Sequence, residues 1–501
     1  MKKIIALLLA AVLTMGLAAT AFAENKVELT AFQYVLENQS TDFNEMWFFK
    51  QIEDKTGVHV TFNQVKDADW SRQLNLMFAA QEMDDLILRN PVDVEDYGVS
   101  QGLLLPLDEY LTEEIMPNYV PRLALNNAGD SIPASDGKSY YIGYLIAQNV
   151  NHNGTWYVNM DLLKELNLEV PTTIDEMTEV LRAFKKAGIE YPFSSSFTAF
   201  GPETLWNQFA SFGVPENHYW LAIDENDKVQ FTGAMDGWKD CVEWMHTLYA
   251  EGLMDPEALS QDSNLWANKV NAGQVGMFCY LRLINTALTP ETYAHFKSIL
   301  PPVAEGRKAA VSSILEIPDP GAYLTVTNPD PVSSLKWLDA QMETETMMVA
   351  ANGKVGEQIV LNDAGKYEVI NIPENNGLYD FVPVTMGQFF APGSYYTEIY
   401  QMAPHRVERY EDSVAYAEAG VLEPKSFNYL TKLSKLDNDS AVEAANIKTE
   451  LDKFMEESVV EFVKNGITDE QYAEFVNTAK QIGADRYAEI YQTAYDAYLA
   501  K

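Results

Sequence analysis

Val27-Glu28-Leu29-Thr30-Ala31-Phe32 alternates apolar and polar positions with a period of two, which predicts a strand. After a loop rich in Asn, Gln, Ser and Asp, the residues Phe43, Trp47, Phe48 and Ile52 fall on one helical face, and Gly57 supplies a stop signal. A second strand at Val58–Phe62 follows, then a helix through Trp70, Leu74, Met77 and Phe78, then a short apolar strand at Leu86–Leu88. Strands separated by single helices need crossover connections. This region therefore predicts right-handed βαβ units and a parallel sheet covered on both faces.

A second region opens with a strand at Thr155–Asn159 and a helix from about Asp161 to Leu168. In Pro171-Thr172-Thr173-Ile174-Asp175-Glu176, Thr173 can cap the backbone of Glu176 while the Glu176 carboxylate reaches back, a capping box. The helix it starts carries Ile174, Met177, Leu181 and Phe184 on one side and ends at Gly188. Another helix spans about Ala234 to Ala250, with Trp238, Val242, Met245 and Tyr249 inward, and Gly273–Phe278 returns as a strand. Leu300-Pro301-Pro302 and Pro318-Asp319-Pro320-Gly321 interrupt the pattern, so a change of lobe is placed near 300. A strand at Ala322–Val326, one helix from about Val332 to Ala350 and an almost wholly helical stretch from about 424 complete the chain.

The 501 residues, 47% hydrophobic and 12% aromatic, suffice for two or three domains or one large two-lobed body. A net charge of −38 repels phosphate backbones and anionic lipid, so no nucleic-acid partner is expected. Residues 1–23 carry Lys2 and Lys3, an apolar run from Ile4 to Leu13, and the small-x-small site Ala21-Phe22-Ala23, which together read as a signal peptide for export. No later apolar run is long enough to span a membrane, and no cysteine near Ala23 encodes a lipid anchor. Cys241 and Cys279 sit in apolar surroundings and read as two buried thiols, with a disulfide between them as the alternative.

Candidate chemistry is sparse. The six histidines are widely separated and form no i, i+4 metal pair, and neither a nucleophile elbow nor a phosphate loop is present. No catalytic residue, metal or cofactor is expected. Carboxylates are so numerous that pairs such as Asp84-Asp85, Glu113-Glu114 and Glu456-Glu457 read as solvated faces; a glycosidase needs two of them about 5 to 10 Å apart, which sequence leaves open. The excess lies in aromatic residues: 9 Trp, 27 Tyr and 23 Phe. Pyranose CH faces pack on such rings, and sugar hydroxyls take planar polar partners such as Asn, Gln, Asp and Arg. Most of these aromatics belong to cores, as Trp47, Trp238 and Trp244 do by their helical spacing; Trp70 is balanced between core and site.

Several segments resemble the extracellular solute-binding proteins of ABC importers, family 1, in the long oligosaccharide-binding branch. They are Asp136–Tyr141, Tyr157–Leu163 continuing to Leu166-Asn167-Leu168, Pro171–Met177, Leu248–Pro256, Gly273–Gly276 and Lys336–Asp339, in that order, and the tail ending in Ala494–Tyr498 is also similar. The resemblance implies an α/β fold of two periplasmic-binding-protein-like lobes with an interlobe cleft and a helical C-terminal segment. The expected layout is 1–23 signal peptide, 24–147 lobe one, 148–300 lobe two, 301–400 a return to lobe one, and 401–501 the helical C-terminal part of lobe two. A calcium-loop-like insert common in this branch is missing, because Phe184-Lys185-Lys186 runs directly into Ala187–Pro192, so no calcium is expected there. Asp224–Asp227 reads as a hairpin turn.

The implied function is capture of an oligosaccharide, a neutral one in view of the charge, and its delivery to ABC permease subunits at the membrane by a monomer that is not an enzyme. The location is periplasmic or extracellular, with membrane association only through the permease. Alternatives are a secreted glycan-degrading enzyme and a peptide or lipid-precursor carrier on the same scaffold. Ligand groups should come from strand ends and the loops after them. In lobe one these are Gln33, Trp70 and Arg89 or its neighbour Asn90; in lobe two, Trp206, Trp266, Tyr280 and Arg282; and at a lobe crossing, Phe390 with Phe389 and Tyr395.

Overall fold

The computed structural model describes residues 26–35, 42–66, 69–123, 133–144, 151–152, 154–197, 203–215, 219–280, 288–314, 319–370, 400–401, 404–423 and 436–500. Strand β1 (Val27–Val35) leads to α1 (Trp47–Thr56), β2 (Val58–Lys66), α2 (Trp70–Ala80), β3 (Leu86–Leu88) and, later, β4 (Ile142–Tyr144). Helix α1 ends where Gly57 turns left-handed at φ 72° and its N–H donates to the Glu53 carbonyl at 2.7 Å. β1 pairs in parallel with both β2 and β3, as single-helix crossovers require.

Next come β5 (Thr155–Asn159), α3 (Met160–Glu165), α4 (Ile174–Lys186), β6 (Tyr191–Ser194) and the short α5 (Glu203–Trp206), which runs into a 3-10 segment at Asn207–Phe212. They are followed by β7 (Leu221–Ile223), β8 (Val229–Phe231), α6 (Asp236–Ala250), α7 (Ser263–Asn271), β9 (Val275–Tyr280), β10 (Phe296–Ile299) and β11 (Val311–Ile314). The capping box forms: Thr173 Oγ1 accepts from the Glu176 N–H at 3.2 Å, and Glu176 accepts from the N–H groups of Thr172 and Thr173. Asp224–Asp227 is the turn between β7 and β8, closed by Asp227 N–H to the Asp224 carbonyl at 3.1 Å.

The remaining elements are β12 (Asp319–Leu324), α8 (Pro331–Ala340), α9 (Thr344–Asn352), α10 (Pro404–Glu418), α11 (Asn438–Asn465), α12 (Asp469–Ile482) and α13 (Ala484–Leu499). The chain divides into two units, Met1–Ile146 with Pro318–Tyr395, and Ala147–Ile317 with Tyr396–Lys501. The return to the first unit thus falls at 318 and not at 301. Residues 303–314 are tied into the second: Val303 N–H donates to the Thr172 carbonyl, Ala304 N–H to Ser211, and β11 pairs with Leu422–Glu423 and Asn151–His152.

The first sheet has the order β2-β1-β3-β12-β4. β12 runs antiparallel to both its neighbours, β3 and β4, so the sheet is mixed and not purely parallel, because β12 arrives on the return segment and not through a single-helix crossover. The second has the order β10-β5-β9-β6, with β5 antiparallel to both neighbours and β9 parallel to β6. Each unit has its own core; Trp337 stacks on Phe49 in the first, and α11 and α12 close over α6 in the second, where Trp238 stacks on Phe475 at 4.5 Å. The single helix expected over 332–350 is two, since Glu343 adopts an extended conformation between α8 and α9. Cys241 and Cys279 are both buried and are not joined in a disulfide.

Candidate functional site

In the first unit, Gln64, Gln33, Leu88 and Ala322 lie abreast at the carboxyl ends of the parallel strands. Immediately beyond them Arg89 takes a left-handed φ of 79° and its N–H donates to the Gly321 carbonyl at 2.7 Å. The register of β12 shifts at this point, a bulge of the kind that re-aims side chains beside ligand sites. Gln33, Arg89, Gly321, Trp337 and Gln341 line a cavity with room for about one water molecule. Gln341 sits at the break between α8 and α9; its Nε2 donates to the Trp337 carbonyl at 3.2 Å, and its buried Oε1 has no hydrogen-bond partner.

In the second unit, Phe278 of β9 pairs with Ser194 of β6, and Tyr280 with Thr155 of β5, so Gly154, Ser194–Ser196 and Tyr280 gather at one end of the sheet. The Trp266 ring from α7 lies flat on Tyr280, with centroids 4.5 Å apart and planes 7° apart. Beneath Ser194 runs a buried network. Asp255 Oδ2 accepts from Lys269 Nζ at 2.7 Å, Ser194 Oγ at 2.8 Å and Gln261 Nε2 at 3.0 Å. Gln261 Nε2 also donates to the Ser195 carbonyl at 2.7 Å, which pins the end of β6. Burial pushes the Lys269 ammonium down, but its bonds to Asp255 and Glu257 outweigh that and hold it above its ordinary value. The Ser195 hydroxyl, the Gln261 Oε1 and the indole N–H of Trp266 are buried and unpartnered.

Of the residues expected from sequence, Gln33 and Arg89 share the first-unit cavity, and Trp70 is buried nearby against Phe32 and Tyr34 with its Nε1 unpartnered. Gln33 donates to the Tyr34 carbonyl at 2.6 Å. Trp266 and Tyr280 meet each other, while Trp206 is enclosed by Phe209 and Trp220. Arg282, Phe389, Phe390 and Tyr395 lie outside the described residues, as does the segment 1–23. Sequence reasoning missed Gln341, Ser195, Gln261, Asn207 and Gln208. The run Ser194-Ser195-Ser196 and the amides directly after Trp206 were the visible signals. A roomier open groove runs along α4 between Val170 and Trp244, but its Glu176 is engaged in the cap, and its Arg182 and Glu179 in ion pairs. The strand ends, with uncommitted polar groups, are the better candidates.

The model of the bacterial extracellular solute-binding proteins matches residues 24–326, more than half of the chain. The chain belongs to that family. This solute-binding protein is 24% identical over 487 residues to the fructooligosaccharide ABC transporter substrate-binding protein FusA of Streptococcus pneumoniae serotype 4, covering 92% of this chain and 88% of that protein. The structure of FusA in complex with kestose superposes with a TM-score of 0.73 at 20% identity, over 94% of this chain and 99% of that one. An extracellular solute-binding protein from Bifidobacterium longum subsp. infantis superposes with a TM-score of 0.82 at 19% identity, over 96% and 100%. The solute-binding protein thus shares with them an α/β fold whose C-terminal portion is helical. No helix among its described residues is long and apolar enough to cross a membrane.

Proposed function

We propose that this solute-binding protein is exported, captures a neutral oligosaccharide outside the cytoplasmic membrane and hands it unaltered to the permease of an ABC importer. The observation that carries this reading is chemical. In or beside the strand-end region of each unit, buried carboxamide oxygens and indole N–H groups stand without protein partners: Gln341 Oε1 and Trp70 Nε1 in one unit, Gln261 Oε1 and Trp266 Nε1 in the other. A carboxamide oxygen accepts and an indole N–H donates, and a sugar hydroxyl can answer both. The likeness to FusA, named for fructooligosaccharide transport and solved with kestose, supports the same class of solute.

A net charge of −38 disfavours polyuronates by long-range repulsion. In the second-unit candidate region a hydrolytic reading would need Asp255 as one of a carboxylate pair, and Asp255 is committed to Lys269, Ser194 and Gln261. The test is a melting series of the purified protein with 1-kestose, nystose, maltotriose, a triuronate and a peptide mixture. A neutral oligosaccharide at about a hundred times its dissociation constant stabilises the native state by about 2.7 kcal/mol, a rise of a few degrees. Release of new reducing ends, or a shift with peptides alone, overturns the proposal.

A further inference from the structure

We propose that Gln208 is a solute-contacting, specificity-determining residue of the second unit, its carboxamide reading a hydroxyl of the captured oligosaccharide; the inference rests on the reading given under the proposed function. Gln208 is wholly buried, and neither its Oε1 nor its Nε2 has a hydrogen-bond partner. Leaving both ends of an amide unpaired out of water is strongly unfavourable, so a group from outside the chain completes it. The same short stretch holds three more buried, unpartnered polar atoms: Trp206 Nε1, Asn207 Nδ2 and Ser211 Oγ. Such a concentration on six consecutive buried residues marks a place where the chain does not complete its own hydrogen bonds.

The stretch is also in the right place. Gly154, at φ +80°, has no side chain, and a Cβ there would fall 2.2 Å from the Asn207 Cγ. Asn207 therefore sits directly on the backbone that starts β5, at the sheet end where β6 and β9 finish. The Trp206 ring is packed against Phe209 and Trp220, which leaves its indole N–H as the group it can offer. A carboxamide offers one donor side and one acceptor side whichever way it is turned, and a hydroxyl, itself donor and acceptor, can satisfy both.

The experiment is calorimetric titration of the wild type, Gln208→Met and Gln208→Leu with 1-kestose, maltotriose and xylotriose, together with melting of each protein without sugar. The expected result is an affinity loss of about tenfold or more in both variants, with an unliganded melting temperature at or above that of the wild type, because an unpaired amide has been removed. Variants that bind the wild type's sugar equally well overturn this inference alone. Variants that both fail to fold also overturn it, since the amide then serves packing. A wild type that binds none of the three sugars overturns the oligosaccharide reading and this inference together.

Discussion

Lys269 and Asp255 form a buried ion pair whose carboxylate is fully enclosed and whose ammonium side chain is 8% exposed. Replacing Lys269 by Met removes the counter-ion of a fully enclosed carboxyl group, and is expected to lower stability by about 3–5 kcal/mol in urea unfolding, as for other broken buried pairs. The pH dependence has a definite sign. Because the folded-state value of Lys269 is raised, its contribution is fully present below the ordinary lysine value of 10.5 and is lost as pH climbs through the higher folded value. A wild-type stability that already declines between pH 7 and 9, with the decline absent in Lys269→Met, contradicts this. Neither Lys269 nor Gln208 was legible as buried from the chain, since periodicity marks where apolar residues go and says nothing of a polar residue held inside by partners. Gln33 and Arg89 became candidates because the sequence places them directly after apolar strands; in the structure β1 runs on to Val35, so Gln33 lies within it, while Arg89 does follow β3.

At the level of the elements, Gly276 of β9 shows why one strand tolerates no side chain. A Cβ there would lie 2.4 Å from the Phe184 ring of α4 and 3.1 Å from the Pro192 carbonyl of β6. Gly276→Ala must push α4 off the sheet, and a loss of about 1–3 kcal/mol is expected in thermal or denaturant unfolding; a variant as stable as the wild type refutes the close approach. The cap of α4 was legible in full, because Thr173 and Glu176 act within one turn and need nothing else. The break between α8 and α9 was not. Its apolar positions continue through Met342, Met347 and Met348, all buried, so the pattern reads as unbroken although the backbone at Glu343 is extended. The direction of β12 was equally hidden, for antiparallel pairing with β3 depends on a segment more than two hundred residues away.

For the molecule as a whole, membership of the family was legible because short matching segments recur in order along most of the chain. Their order constrains the fold far more than any one of them does. The candidate site residues were less so: aromatic residues drew attention to Trp206 and Trp266, whereas the buried polar atoms without partners at and beside them are visible only in the structure. Of the nine tryptophans, all but Trp47 are buried, and three of them, Trp70, Trp206 and Trp266, carry indole N–H groups at or near the two candidate regions. Light excited in these rings should therefore emerge towards the blue and resist quenching by acrylamide, and a sugar that engages those N–H groups should alter the emission without any dye attached. A spectrum centred where water-exposed indole emits would contradict that burial, and one indifferent to a sugar that binds would contradict the proposed engagement of those N–H groups. On the proposed reading, the chain carries its own optical gauge of occupancy.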